Sequence, residues 1–176
     1  MQTDTPTDVI FIGGRSGVGK SSVAAEVSQI LARADIRHAL IEGDNLDQAY
    51  PQPWRDGIKL AEQNLAAMWK NYRAAGYSRL IFTNSVSVLQ IAELSAALGG
   101  ETHSSAVLLT ATDATAAHRL SQREIGSALD EHIGRSSLAA RRLDAANEAV
   151  VRIATDDRTV AEIAHEILVN AGWLSA

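Results

Sequence analysis

Eight consecutive residues near the amino end, Gly14-Arg15-Ser16-Gly17-Val18-Gly19-Lys20-Ser21, satisfy the pattern G-x-x-x-x-G-K-[ST] without a mismatch. The chemistry open to such a run is the grip of a polyphosphate. Gly14, Gly17 and Gly19 permit backbone turns that a Cβ would obstruct. Successive N–H groups, those of Arg15, Ser16 and Val18 among them, can then converge on phosphate oxygens. Lys20 supplies a mobile ammonium for β- and γ-phosphates, and the Ser21 hydroxyl is placed to ligate Mg²⁺. Ser22 extends the polar lip. The context agrees with the motif: an apolar strand, Val9–Gly13, precedes it and a helical pattern, Lys20–Ala34, follows. A helix N-terminus at that point adds its partial positive charge.

A second group able to do chemistry lies in Ile41-Glu42-Gly43-Asp44-Asn45-Leu46. Asp44 follows an expected strand, His38–Glu42, and emerges at the carboxyl edge of the sheet if that strand lies near the first. There it could accept a proton from an acceptor hydroxyl or hold water on Mg²⁺. The competing reading is that Asp44 caps the short turn beginning at Asn45. Glu42 reads as an inner-strand or surface group. The strand Leu80–Thr83 ends in Asn84-Ser85, so the Asp that often closes an inner strand of nucleotide-binding enzymes is missing there. The three lysines are Lys20, Lys59 and Lys70, and neither of the last two is followed two residues later by Asp. An Asn-Lys-x-Asp guanine reader is therefore absent.

Arg119, Arg123, Arg135, Arg141 and Arg142 concentrate positive charge in an otherwise acidic chain of net charge −5. Arg119 and Arg123 are four apart and would share a helix face, able to close on one polyphosphate. Such a run is also the ordinary make-up of a solvated helix face. His118, His132 and His165 read as surface or packing residues, and His38 and His103 show no metal-ligand spacing. Tyr50, Trp54, Trp69 and Tyr72 gather between the second and third strands. Trp54 beside Pro51 and Pro53 suits a rigid wall, Trp69 suits the core, and Arg55 could meet an anion or pair with Asp56. Thr159, three residues before Glu162, reads as the cap of the last helix.

These groups must be held by a scaffold, and the remaining pattern supplies one. Apolar, β-branched runs at Val9–Gly13, His38–Glu42, Leu80–Thr83, Ala106–Thr110 and Val150–Thr155 alternate with helical periods. The helices are expected at Lys20–Ala34, Asp56–Ala75, Val88–Leu98, Ala114–Ile125, Ser136–Ala149 and Val160–Ala171. Strands alternating with helices indicate βαβ units, a mainly parallel sheet covered on both faces, and sites at the carboxyl ends of the strands. At 176 residues the chain fits one domain with a sizeable core. With no cysteine it has no disulfide framework, thiol nucleophile or Cys-ligated metal. Its acidity gives no general attraction for nucleic acid or an anionic membrane. No apolar run approaches the roughly 20 residues of a membrane span. A cytoplasmic protein is the expectation.

The segments GRSGVGKSS (Gly14–Ser22), EGDNL (Glu42–Leu46), RLSQRE (Arg119–Glu124) and ATDDRTVAEIAHEIL (Ala154–Leu168) give the chain a family resemblance. It resembles the small P-loop kinases of the nucleoside/nucleotide kinase-like group, such as gluconate kinases, adenylylsulfate kinases and chloramphenicol phosphotransferases. The resemblance implies a three-layer α/β/α P-loop NTPase fold with a five-stranded, mainly parallel sheet. It also implies one domain over 1–176, with a helical lid at about 119–142 that brings Arg119 and Arg123 over the phosphates. The implied activity is ATP- and Mg²⁺-dependent transfer of the γ-phosphoryl group to a hydroxyl of a small molecule. In that reading Lys20, Asp44, Arg119 and Arg123 serve catalysis, and Ser21 and Asp44 the metal. Two alternatives stand beside it: a nucleotide monophosphate kinase, and a regulatory ATPase-like module with no metabolite acceptor. Monomer and homodimer both remain open.

Overall fold

The computed structural model describes residues 5–122 and 127–175. Five strands form one sheet: β1 (Thr7–Gly13), β2 (Ala39–Glu42), β3 (Arg79–Thr83), β4 (Thr102–Thr110) and β5 (Val151–Ala154), in the order β2-β3-β1-β4-β5. Every pairing is parallel. The α-helices are α1 (Lys20–Arg33), α2 (Leu60–Ala74), α3 (Ile91–Leu98), α4 (Asp113–Ser121), α5 (Ser127–Leu143) and α6 (Val160–Asn170).

The period of two along β1 divides the core. Ile10 and Ile12 pack with Val23, Val27 and Leu31 of α1 and Ile163 and Ile167 of α6. Val9 and Phe11 face the other way, toward Leu65 and Trp69 of α2 and Leu94 and Leu98 of α3. Because β1 is apolar on both faces, it can only be a central strand with a helical layer on each side. The Trp69 indole N–H, 1% exposed, donates to the Thr7 hydroxyl at 3.0 Å, so the core position expected for this residue also carries a satisfied polar contact.

Several boundaries differ from the sequence expectation. β4 begins at Thr102 instead of Ala106, because the polar stretch Thr102–Ser105 continues the ladder opposite Thr7–Ile10. Here tertiary pairing overrides a missing apolar signal. The helix expected over Asp56–Ala75 is divided. A short 3₁₀ turn spans Pro53–Asp56, Gly57 takes a left-handed φ of 71°, and α2 starts only at Leu60. A similar turn, Ser87–Leu89, precedes α3. α5 starts at Ser127 and ends at Leu143, nine residues earlier and six residues earlier than the pattern suggested. Gly134 lies inside it, where a glycine weakens the sequence signal for helix. Ile125, the expected end of the helix beginning near Ala114, lies outside the described residues.

Candidate active site

The carboxyl ends of β1, β2 and β3 lie at one edge of the sheet, and clefts lined by described residues open beside the segments that follow them. The first follows β1. Gly14–Gly19 forms the bend between β1 and α1, and a cleft of about 200 Å³ is lined by Ser16, Gly17, Lys20, Ser21, Asp44 and His132. Gly17 takes φ 86°, and a Cβ there would stand 2.6 Å from the Ala116 carbonyl oxygen. The bend thus packs so close to α4 that only glycine fits. The Lys20 ammonium donates to the Arg15 carbonyl at 3.3 Å, and Ser22 lies exposed on the first turn of α1.

Arg15 does not face the cleft. Its guanidinium is 4% exposed and donates to the Ser136 hydroxyl at 2.9 Å, to the Ser137 hydroxyl at 3.2 Å and to the Asp113 carboxylate. Ser136 in turn donates to the Ser16 carbonyl at 2.7 Å. The side chain therefore fastens the bend to α4 and α5. The same contact holds the Asp113 carboxyl below the ordinary carboxylate range, the hydrogen bond from Arg15 being the main cause.

Arg119 also lies against the bend. It donates to the Val18 carbonyl at 3.1 Å, and to the Thr155 hydroxyl and carbonyl at 2.9 and 3.1 Å. It joins the Gly14–Gly19 bend to the end of β5, on the side where Thr155–Thr159 forms a loop. Of the other arginines, Arg135 pairs with exposed Glu131 at 2.8 Å, and Arg141 and Arg142 are exposed in the last turn of α5. Arg123 lies outside the described residues. Thr159 caps α6 as expected, in a reciprocal box with Glu162.

Asp44 is exposed in the 3₁₀ turn Gly43–Asn45 after β2. Its carboxylate accepts from the Ser85 backbone N–H at 3.2 Å and the Ser85 hydroxyl at 3.5 Å. Gly43 is needed for this placement, since a Cβ would meet the Phe82 ring at 2.4 Å and the Thr83 carbonyl at 2.7 Å. Ser85 further accepts, through its carbonyl, from the Gly14 N–H at 3.2 Å. The end of β3 thus ties Asp44 to the bend through one residue.

Glu42, expected as an inner-strand or surface group, gains partners at the site. Pairing of β2 with β3 sets Glu42 opposite Thr83. Its carboxylate accepts from the Thr83 hydroxyl at 2.9 Å and from the Ser21 hydroxyl at 3.4 Å. Only the strand register reveals it, because β2 follows β1 in sequence yet lies beyond β3 in the sheet. His132, which lines the first cleft, carried no sequence signal either.

A second cleft, about 390 Å³, is lined in part by Asp47, Trp54, Lys59, Glu62, Phe82 and Asn84. Asn84 accepts from the Val86 N–H through its side-chain oxygen at 2.8 Å, closing the turn that aims it there. Trp54, 57% exposed, is among the lining residues, whereas Tyr50, 93% exposed, and Arg55 are not.

Solved structures share this architecture from end to end. A gluconokinase from Sinorhizobium meliloti 1021 is 20% identical and superposes with a TM-score of 0.62, over 97% of this chain and 94% of that one. A tunicamycin resistance protein from Deinococcus radiodurans is 19% identical, with a TM-score of 0.62 over 94% and 96%. The adenylylsulfate (APS) kinase CysC of Mycobacterium tuberculosis, solved with AMPPNP and APS, is 19% identical, with a TM-score of 0.52 over 96% and 99%. The fold is that of the small P-loop kinases. The P-loop itself falls in residues 6–53, which match the family model of adenylylsulphate kinase. No curated protein sequence matches the chain. Around the P-loop, no group of three or more His, Cys, Asp or Glu that could cage a metal occurs among the described residues. None of their helices is long and apolar enough to cross a membrane.

Proposed function

We propose that this chain is an ATP- and Mg²⁺-dependent phosphotransferase that phosphorylates a hydroxyl of a small molecule. One observation carries the reading: Asp44, which lines the P-loop cleft, accepts a hydrogen bond from Ser85, the chain neighbour of Asn84, which lines the second pocket. A phosphoryl donor and an acceptor held in those clefts would meet at the Asp44 carboxylate.

The donor set suits the metal. The Ser21 hydroxyl with the Asp44 and Glu42 carboxylates offers hard oxygen donors, and Mg²⁺ usually takes one or two such groups plus phosphate oxygens and water. Ser21, Asp44 and Glu42 would hold it. When bound, Mg²⁺ neutralises charge on the phosphates. The rest falls to this chain. P-loop amides and the Lys20 ammonium cradle the phosphates, and Asp44 takes the proton of the acceptor hydroxyl. The acceptor oxygen bonds to the γ-phosphorus as the bond from that phosphorus to the bridging oxygen breaks, and ADP leaves with that electron pair. α4 and α5, fastened to the P-loop through Arg15, serve as the lid that excludes water. Arg119 braces the nucleotide side from between Val18 and Thr155.

The second pocket speaks for an acceptor and hence against a purely regulatory nucleotide switch, which has no need of one. A monophosphate acceptor would require cations in that pocket. Among the described residues its charged lining consists of Asp47, Glu62 and Lys59. The test is ADP release from ATP and Mg²⁺ over a panel of sugars, nucleosides, cyclitols and amino alcohols. Acceptor-dependent release with a phosphorylated product supports the proposal. Tight ATP binding with no stimulation by any acceptor refutes it.

A further inference from the structure

The second pocket also bears on the chemistry of its acceptor, an inference that rests on the phosphotransferase reading. Among the described residues its charged lining consists of two carboxylates, Asp47 and Glu62, against one ammonium, Lys59, with no arginine. Asp47 and Glu62 are both half-buried, while Lys59 is exposed at the start of α2. No hydrogen bond or ion pair engages the Glu62 carboxylate among the described residues. Burial pushes the Asp47 carboxyl above its ordinary range, and the negative charges of Asp44 and Glu62 push it further the same way. Two carboxylates that repel each other in a cleft are relieved by a cation, and an anionic acceptor would add to the repulsion.

The wall of the pocket points the same way. Trp54 presents a largely exposed indole at the rim, and Phe82 and Leu94 supply an apolar floor. An indole face attracts an ammonium group and also packs against the C–H face of a saturated ring. A volume of about 390 Å³ lies in the range of sites for small ligands. We infer that the acceptor is an amine-bearing polyhydroxylated ring, an amino sugar or aminocyclitol, with its ammonium between Asp47 and Glu62 and its ring against Trp54. The hydroxyl to be phosphorylated then faces Asn84 and Asp44, and its proton passes to Asp44 as in the transfer described above. Carboxylate- or phosphate-bearing acceptors are disfavoured.

Three six-membered carbocycles of similar size separate the possibilities: 2-deoxystreptamine (cationic), myo-inositol (neutral) and quinate (anionic). Their binding to the full chain is measured by calorimetry, with and without AMPPNP and Mg²⁺, so that the readout does not depend on turnover. The expected result is at least tenfold tighter binding of 2-deoxystreptamine than of myo-inositol, with quinate weakest. Asp47→Asn and Glu62→Gln should each remove most of that preference, and so should high salt on the unmodified protein. Equal or tighter binding of quinate, equal binding of all three, or binding of none overturns the inference. AMPPNP affinity in the same titrations judges the phosphotransferase reading separately. If AMPPNP fails to bind while the cation preference stands, it is the phosphotransferase reading that is lost, not the charge selectivity.

Discussion

Two residues divide the work proposed for the site, and their substitutions should fail differently. Lys20 is the ammonium of the P-loop cleft, so Lys20→Ala should weaken ATP binding at least about tenfold, read by calorimetry, since an unpaired phosphate charge is costly. Asp44 lines the same cleft but is held by Ser85, outside the P-loop. Asp44→Asn keeps the shape and, through Oδ1, the bond from the Ser85 N–H while losing the basic oxygen. Turnover should fall by about 10²–10⁴, the usual worth of a general base, with ATP affinity retained. Unchanged turnover would remove Asp44 from the proton transfer. Both residues were legible in the sequence, because the G-x-x-x-x-G-K-[ST] spacing names one and the position after β2 the other. Glu42 and Glu62 were not, because a carboxylate's partners depend on strand register and helix docking.

At the scale of elements, α6 is secured at its N-terminus by the reciprocal pair Thr159 and Glu162. The Thr159 backbone N–H reaches the Glu162 carboxylate at 2.8 Å, and Glu162 donates its own N–H to the Thr159 hydroxyl at 3.2 Å. Thr159→Ala should cost about 1 kcal/mol, measured by urea unfolding with an unchanged slope. The Thr159 backbone N–H is also the main reason that the Glu162 carboxyl lies below its ordinary value of 4.5. A depressed folded value stabilises above the unfolded value and loses that contribution as pH falls through the folded one. Stability should therefore decline as pH drops below about 4.5, and Glu162→Gln should flatten that part of the profile. An identical acid slope in the variant would exclude the cap as its source. The capping box was readable as Thr159-x-x-Glu162, because its members lie three residues apart and need no tertiary partner.

For the molecule as a whole, Arg15 is where the P-loop, α4 and α5 are joined. Its buried guanidinium serves Asp113, Ser136 and Ser137 at once, across separations of 98 to 122 residues. Arg15→Ala removes charge-assisted hydrogen bonds of about 1.5–3 kcal/mol each in isolation, and a net loss of about 2 kcal/mol is expected by urea unfolding. Hydrogen exchange in α5 should rise with it, and ATP affinity should fall, because the Ser136 bond to the Ser16 carbonyl is then left without the support of Arg15. Unaltered exchange in α5 would show that the helix is held by its apolar contacts alone. In the motif Arg15 reads as one of four interchangeable positions between Gly14 and Gly19. Its partners could not be inferred from spacing, since they arrive from two helices far along the chain.

What the sequence determined by itself is whatever depends on near neighbours. Glycines three and five residues apart permit the P-loop bend, apolar runs buried on both faces specify parallel strands, and Thr159 with Glu162 starts a helix. These follow from backbone sterics and from periods of two and 3.6 residues, which any stretch of chain carries within itself. The tertiary structure decided what depends on which elements become neighbours. The order β2-β3-β1-β4-β5 puts Glu42 beside Thr83 and Ser21, and packing of α2 against β3 brings Glu62 to the cleft that Asp47 also lines. Charge and hydrogen-bond complementarity over long separations is fixed only when the layers pack, because local propensity contains no record of the partner.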